Sequence, residues 1–317
     1  MKEQERLLQI LLRQQNFRWG DEYRPAIYAV ASEAPRCSRV SRINSRKLGR
    51  VLNCLSTPER IFTQFALFNP NIIDIHEQKV LSTVNAVHPL FGHPLLKGKE
   101  LPTITGTLRV AESIGMKHHT VRTVMKGQTT WAAYPYLGDL LLYLRGADGL
   151  PYAVNWNIKD TKSGFSEKNL GEVKTPRKQG LDREKMRLRV LLEELYYKSA
   201  GIRTVNMSRE CLDNVLVSNI FLLYGVHERQ LDLDKELLSD FTSDLAISVS
   251  SGDPLAYVAI DYAKRWGSRD QFIARIYQDI WFRRLKVNMF KPVLIDRPSE
   301  LEEVEVHSVY ASYFAER

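Results

Sequence analysis

Residues 134–160 read YPYLGDLLLYLRGADGLPYAVNWNIKD, and two apolar runs within them, 137–144 and 152–158, flank Asp148-Gly149. An Asp-Gly step between β-prone runs is a strong short-range hairpin signal. Folding the stretch about that step brings position 139 opposite positions 157–159. Asp139 is a lone carboxylate in an apolar strand, and Asn157 and Lys159 share one face of the opposing strand at i, i+2. A carboxylate, an amide oxygen and a lysine on adjacent strands suit a hard divalent cation and an anionic oxygen beside it. That is the chemistry of metal-dependent phosphodiester cleavage. The alternative is a hairpin whose polar residues point to solvent.

Register decides between the two. Side-chain direction alternates along a strand, so Asp139 shares a face with Asn157 and Lys159 only if it pairs directly with one of them. A two-residue turn at Asp148-Gly149 pairs 139 with 158 and puts Ile158 on Asp139's face. The site therefore requires an odd-length connection, such as a three-residue loop with Gly149 in a left-handed conformation. A bulge within a strand serves equally, and Gly138 permits one.

The chain has 317 residues, enough for two domains with a core each. Its apolar share of 44% and charged share of 26% are those of a soluble globular protein. The longest apolar runs are strand-sized, so no membrane span is expected, and the charged N-terminal segment lacks a signal core. Cys37, Cys54 and Cys211 are odd in number and far apart. They form neither a disulfide framework nor a zinc pattern, and a reducing cytoplasm is the expected setting. The pair His118-His119 has no HxxxH or CxxC companion. A net charge of +8 fits a polyanion binder without demanding one.

Taken in order, residues 3–14 carry a leucine stripe at helical spacing. The run 36–50, RCSRVSRINSRKLGR, interleaves serine with Arg36, Arg39, Arg42, Arg46, Lys47 and Arg50, a composition able to track a phosphate backbone; the alternative is a solvated loop. Ser56-Thr57-Pro58-Glu59 opens a helix, with Ser56 as N-cap and Glu59 closing a capping box, and Asn69-Pro70 stops it. Glu59 is thus either a helix cap or a carboxylate pointing towards a neighbouring sheet. A short strand spans 72–75. Residues 80–133 are broken by proline and glycine and read as connection, with one helix near 108–114. Beyond the hairpin, 161–180 reads as a lysine-rich loop. Asp182 then caps a helix to about Ala200, Gly201 stops it, and 202–207 forms a strand after a right-handed crossover. The pattern to this point predicts one mixed α/β sheet. After Ser208 the chain turns helical over about 212–224, 231–245, 255–265 and 269–284. Trp266-Gly267-Ser268 reads either as a helix-turn-helix corner or as the glycine turn of an ordinary helix pair that never touches DNA, and 286–294 as a strand after it in the manner of a winged helix.

Several of these segments, in this order, resemble the TnsA endonuclease subunit of heteromeric bacterial transposases. They are RINSRKLGR, LSTPER, NIIDIHEQ, the strand holding Gly138-Asp139, the triplet NIK and the helix leading to IRTVNMS. The resemblance covers most of 23–207 and continues weakly beyond. It implies a restriction-endonuclease-like nuclease domain over 1–207 and a helical, partner-binding C-terminal domain over 208–317. It also implies that Glu59, Asp139 and Asn157 hold Mg²⁺ or Mn²⁺, that Lys159 acts in catalysis, and that Glu193 stands beside the site. Where the family has glutamine this chain has Asn157, one methylene shorter, which leaves coordination through the side chain or the main-chain carbonyl open. The partners implied are the double-stranded DNA of transposon ends, a DDE transposase and an AAA+ ATPase regulator, with cutting of the 5′ strands. Two rival readings are a free-standing nuclease of the same fold in phage defence, and a DNA-binding scaffold with a decayed site. Removing 208–317 is expected to spare the nuclease fold.

Overall fold

The computed structural model describes residues 3–15, 18–35, 38–125, 128–166 and 175–317. The protein is a mixed α/β chain. It divides into two compact units, one formed by Met1–Thr63, Asn71–Cys211 and Tyr313–Arg317, the other by Gln64–Pro70 and Leu212–Ser312. The linear division expected at 207 is thus replaced by an interleaved one: the end of one helix belongs to the second unit, and the last five residues return to the first.

The first unit opens with α1 (Glu3–Gln14) and a hairpin of β1 (Ser41–Ser45) and β2 (Arg50–Cys54). There follow α2 (Thr57–Phe68), β3 (Ile72–Glu77), β4 (Val80–Leu81) and α3 (Thr107–Ser113). Next come β5 (Thr120–Met125), β6 (Gln128–Ala133), β7 (Tyr136–Leu137), β8 (Leu140–Arg145) and β9 (Pro151–Lys159). The unit's long helix, α4 (Pro176–Lys198), leads into β10 (Arg203–Ser208). The central sheet has the order β10-β9-β8-β3, with β9 and β10 parallel and the other pairs antiparallel. β8 is buried from Leu140 to Leu144, as a strand covered on both faces must be. On one face Leu141, Tyr143 and Ala153 pack against Leu192, Tyr196 and Tyr197 of α4. On the other, Trp156 meets Phe62 of α2 edge-on, at 6.0 Å between ring centroids.

The stretch 80–133 is more than connection. Leu81, Leu90, Leu96, Ile104 and Val110 join the α4-side core, and β5 and β6 pair as a two-stranded ribbon that the sequence pattern does not announce. Two further expectations are corrected. α4 begins at Pro176, whose missing N–H costs nothing at the first helical position, so Asp182 lies inside the helix. Gly201, at φ +72°, ends the turn that follows it. The expected strand from Lys286 to Leu294 is not formed; Val287 makes only an isolated bridge to Leu301, so no wing follows the helix pair.

The second unit is helical, with α5 (Asn214–Tyr224), α6 (Lys235–Ser251), α7 (Leu255–Trp266), α8 (Arg269–Trp281) and the short α9 (Val306–Val309); α10 (Ala311–Phe314) closes the chain. Leu216, Phe241, Leu245 and Phe272 form its interior. The corner between α7 and α8 takes left-handed φ values at Gly267 (+71°) and Ser268 (+51°). Among the described residues no helix is long and apolar enough to cross a membrane.

The C-terminal residues seal the Trp156 side of the first unit. Trp156 Nε1 donates to the Tyr313 carbonyl at 2.8 Å, Tyr152 donates to the Phe314 carbonyl at 2.9 Å, and the Phe314 ring lies 5.1 Å from Trp156. Truncation at 207 would remove Phe314 and these two carbonyl acceptors from the Trp156 side of the unit. Phe314→Ala should cost about 3 kcal/mol, the low end for a buried phenylalanine. Urea unfolding of the full chain checks this, and an unchanged transition would mean that the tail is not part of this core.

Candidate active site

The connection between β8 and β9 settles the register. Arg145 pairs with Pro151 and Leu140 with Trp156, so the ladder has the parity that sets 157 beyond its end on the side of Asp139, which lies in a bend just outside β8. Gly146 donates to Leu150 O at 2.8 Å, Gly149 donates to Gly146 O at 3.0 Å, and Gly149 sits at φ +80°. This is a three-residue loop with a left-handed glycine, the odd-length solution. The first run is also shorter than its apolar pattern suggests. Tyr136–Leu137 leaves the sheet to pair with β4, and the chain breaks at Gly138-Asp139. Gly138 is closely fitted, since a Cβ there would lie 3.2 Å from the Tyr197 hydroxyl and 3.4 Å from Glu193 Oε1.

Asp139 Oδ2 accepts from the Ile158 N–H at 2.6 Å and lies 3.4 Å from Lys159 Nζ. Lys159 also donates to Asn157 Oδ1 at 3.0 Å and to the Ile158 carbonyl at 3.0 Å. The lysine stem is covered by the turn at Gly164, where a Cβ would stand 3.1 Å from that of Lys159. Asn157 is buried, and its side-chain oxygen faces the lysine. Asp139 and Lys159 keep 27% and 30% of their side chains exposed, enough to meet a substrate.

Glu59 approaches from the first turn of α2. Its Oε1 accepts from the Ser56 hydroxyl at 2.8 Å, its own N–H reaches Ser56 Oγ at 3.2 Å, and its Oε2 accepts from the Leu55 N–H at 2.8 Å. The capping box is therefore formed, yet the same carboxylate also feels the site. Burial first, and the charge of Asp139 second, push its pKa up to about 7. Glu193 is buried on α4, holding Asn155 Nδ2 at 3.0 Å and Arg189 Nη1 at 3.1 Å, while Glu194 is exposed. Burial also raises the Glu193 pKa, against Arg189 and with Asp139.

Because the Glu59 pKa in the folded chain lies above its ordinary 4.5, its contribution to stability is complete below that value. The contribution is lost as pH rises through about 7. In Glu59→Gln the amide at this position still closes the capping box, so the helix end is kept. In chelator, the unfolding free energy of wild type relative to Glu59→Gln should fall by on the order of 3 kcal/mol across that window. A difference that stays flat with pH would mean that neither burial nor the charge of Asp139 raises the Glu59 pKa in the folded chain.

No protein-family model matches the sequence, and no curated protein matches it.

The basic run fares unevenly. Arg36 lies outside the described residues. Arg39, Arg42, Arg46 and Lys47 are exposed, on or beside the β1–β2 hairpin rather than on a loop. Arg50 is a correction: only 5% of its side chain is exposed, and its Nη1 lies 2.9 Å from both Glu77 oxygens, with Asp74 at 3.6 Å from Nη2. Nη2 also donates to the Ile75 carbonyl. A guanidinium neutralised inside the protein offers nothing to a phosphate.

The donor types near Asp139 are carboxylate and amide oxygens. Among the described residues no group of three or more His, Cys, Asp or Glu is placed to hold a metal. A cation here would rest on two carboxylates plus neutral oxygens, the donor set of Mg²⁺ or Mn²⁺ rather than Zn²⁺. Asp139 Oδ1 makes no protein hydrogen bond among the described residues, and Gln78 Oε1, Asn155 Oδ1 and the Tyr197 hydroxyl are buried polar atoms without partners. Sequence reasoning missed Gln78, Asn155 and Tyr197, since a lone amide or phenol carries no spacing signal.

Proposed function

We propose that this chain is a metal-dependent DNA endonuclease with a restriction-endonuclease-like fold. In this reading it is the TnsA-like subunit of a heteromeric transposase, cutting the 5′ strands at transposon ends beside a DDE transposase and an AAA+ ATPase in a bacterial cytoplasm. The observation that carries the reading is the contact just beyond the β8–β9 ladder, where the Asp139 carboxylate accepts from the Ile158 N–H and lies 3.4 Å from the half-buried Lys159 ammonium. Glu59 and Asp139 would hold the cation, with the oxygens of Asn157 or its neighbours completing the set. When bound, Mg²⁺ or Mn²⁺ supplies Lewis-acid chemistry at a scissile phosphate. Lys159 stabilises charge on the attacking or non-bridging oxygen. Glu193, tied to Asn155 and Arg189, acts by holding the strand beneath the site. Arg39, Arg42, Arg46 and Lys47 supply phosphate contacts from the β1–β2 hairpin.

The test is a strand-specific one. Duplex ends of the element, incubated with the transposase and ATPase partners and Mg²⁺, should be cut on the 5′ strand only when this chain is present. Cutting that proceeds equally without it would remove the assignment.

A further inference from the structure

Gln78 stands where the two carboxylate-bearing segments meet. Its backbone N–H donates to the Asp139 carbonyl at 3.0 Å, and its side-chain Nε2 donates to Glu59 Oε2 at 2.9 Å. Its own carbonyl accepts from the Ala26 N–H at 3.3 Å. The residue is 3% exposed and holds φ at +44°, a left-handed conformation that costs a glutamine of order 1 kcal/mol or more. Every polar group of Gln78 is satisfied except one: the side-chain Oε1 is buried and has no partner. An amide oxygen left unsatisfied in the interior costs about 1–3 kcal/mol. Backbone strain and an orphaned acceptor on one residue, tied to the Glu59 carboxylate and to the Asp139 main chain, mark a site shaped for a positive group.

We propose that Gln78 Oε1 is a ligand of the divalent cation held by Glu59 and Asp139. The inference rests on the proposed nuclease site. Asn157, the amide expected from the strand, has its Oδ1 against Lys159 at 3.0 Å. Gln78 supplies a neutral oxygen from β3's end instead. Its Nε2 fixes the amide the right way round, because the nitrogen faces the Glu59 carboxylate and the oxygen is left for the cation. The same hydrogen bond fixes the Glu59 carboxylate, so one side chain both positions a ligand and is one.

The test is Mn²⁺ binding to the full chain, monitored by the loss of the free-ion electron paramagnetic resonance signal, with circular dichroism as the fold control. Two variants separate ligand from positioning roles. Gln78→Asn tolerates the left-handed backbone but shortens the reach by one methylene. It should weaken Mn²⁺ binding roughly tenfold or more, the scale seen when a partner of a metal site is lost. Gln78→Glu removes the donor to Glu59 yet offers an oxygen in the same place. A ligand role predicts affinity at least equal to wild type at pH 8, whereas a purely positioning role predicts a loss as large as for Gln78→Asn. Wild-type affinity in Gln78→Asn, or equal weakening in both variants, overturns the proposal while leaving the metal site standing. A wild-type chain that binds no Mn²⁺ removes the metal site itself, and the ligand with it.

Discussion

Asp139→Ala should abolish strand cleavage, by a factor of about a thousand or more, when assayed with the partner transposase and ATPase. Loss of a carboxylate that holds a catalytic cation removes several kcal/mol of transition-state stabilisation. The fold should survive. The Asp139 side chain is 27% exposed, so water can replace it on the Ile158 N–H, and Leu140 to Leu144 stay packed on both faces. Asp139→Asn provides the cleaner control, because it keeps an acceptor for that N–H and removes only the charge. Cleavage at the wild-type rate in either folded variant would exclude Asp139 from the chemistry.

The second large effect falls on stability. Arg50→Leu should destabilise the protein by about 3–5 kcal/mol, because it leaves Glu77 as a charge without its main partner in the interior. Glu77 is fully buried, with Arg50 Nη1 at 2.9 Å and the Asn53 N–H at 3.0 Å on its oxygens. Burial already raises its pKa against the pull of Arg50. The double variant Arg50→Leu, Glu77→Leu should be less damaged than the two single losses summed, since it removes both charges together. Chemical denaturation measures all three. A single variant that unfolds like wild type, and only weakens DNA binding, would return Arg50 to the surface role that the basic run suggested.

The hairpin was legible because its signals are local. The Asp-Gly step, the two apolar runs and the parity of side-chain direction together demanded an odd connection, and Gly149 at φ +80° supplies it. The capping box was equally local, and Ser56 and Glu59 exchange the hydrogen bonds that their spacing implies. Arg50 was misread for the opposite reason. A basic residue among basic residues looks solvated, and its partners Asp74 and Glu77 lie more than twenty positions away, reachable only once β2 and β3 are placed. The β5–β6 ribbon escaped because the prolines and glycines scattered through 80–133 mask its β-branched threonines and valines, which do favour a strand. The start of α4 escaped because lysines and Gly180 mimic a loop. Gln78 escaped because its significance is geometric: one unpaired atom, one strained φ and contacts to the Glu59 carboxylate and the Asp139 main chain.

The most direct measurement is a calorimetric titration of the full chain with Mg²⁺, repeated for Glu59→Gln and Asp139→Asn. One shared site predicts that wild type binds the cation and that each substitution weakens binding at least tenfold while circular dichroism stays unchanged. Wild-type protein that binds no divalent cation, or binding that survives both substitutions, would contradict a catalytic centre built from these two carboxylates.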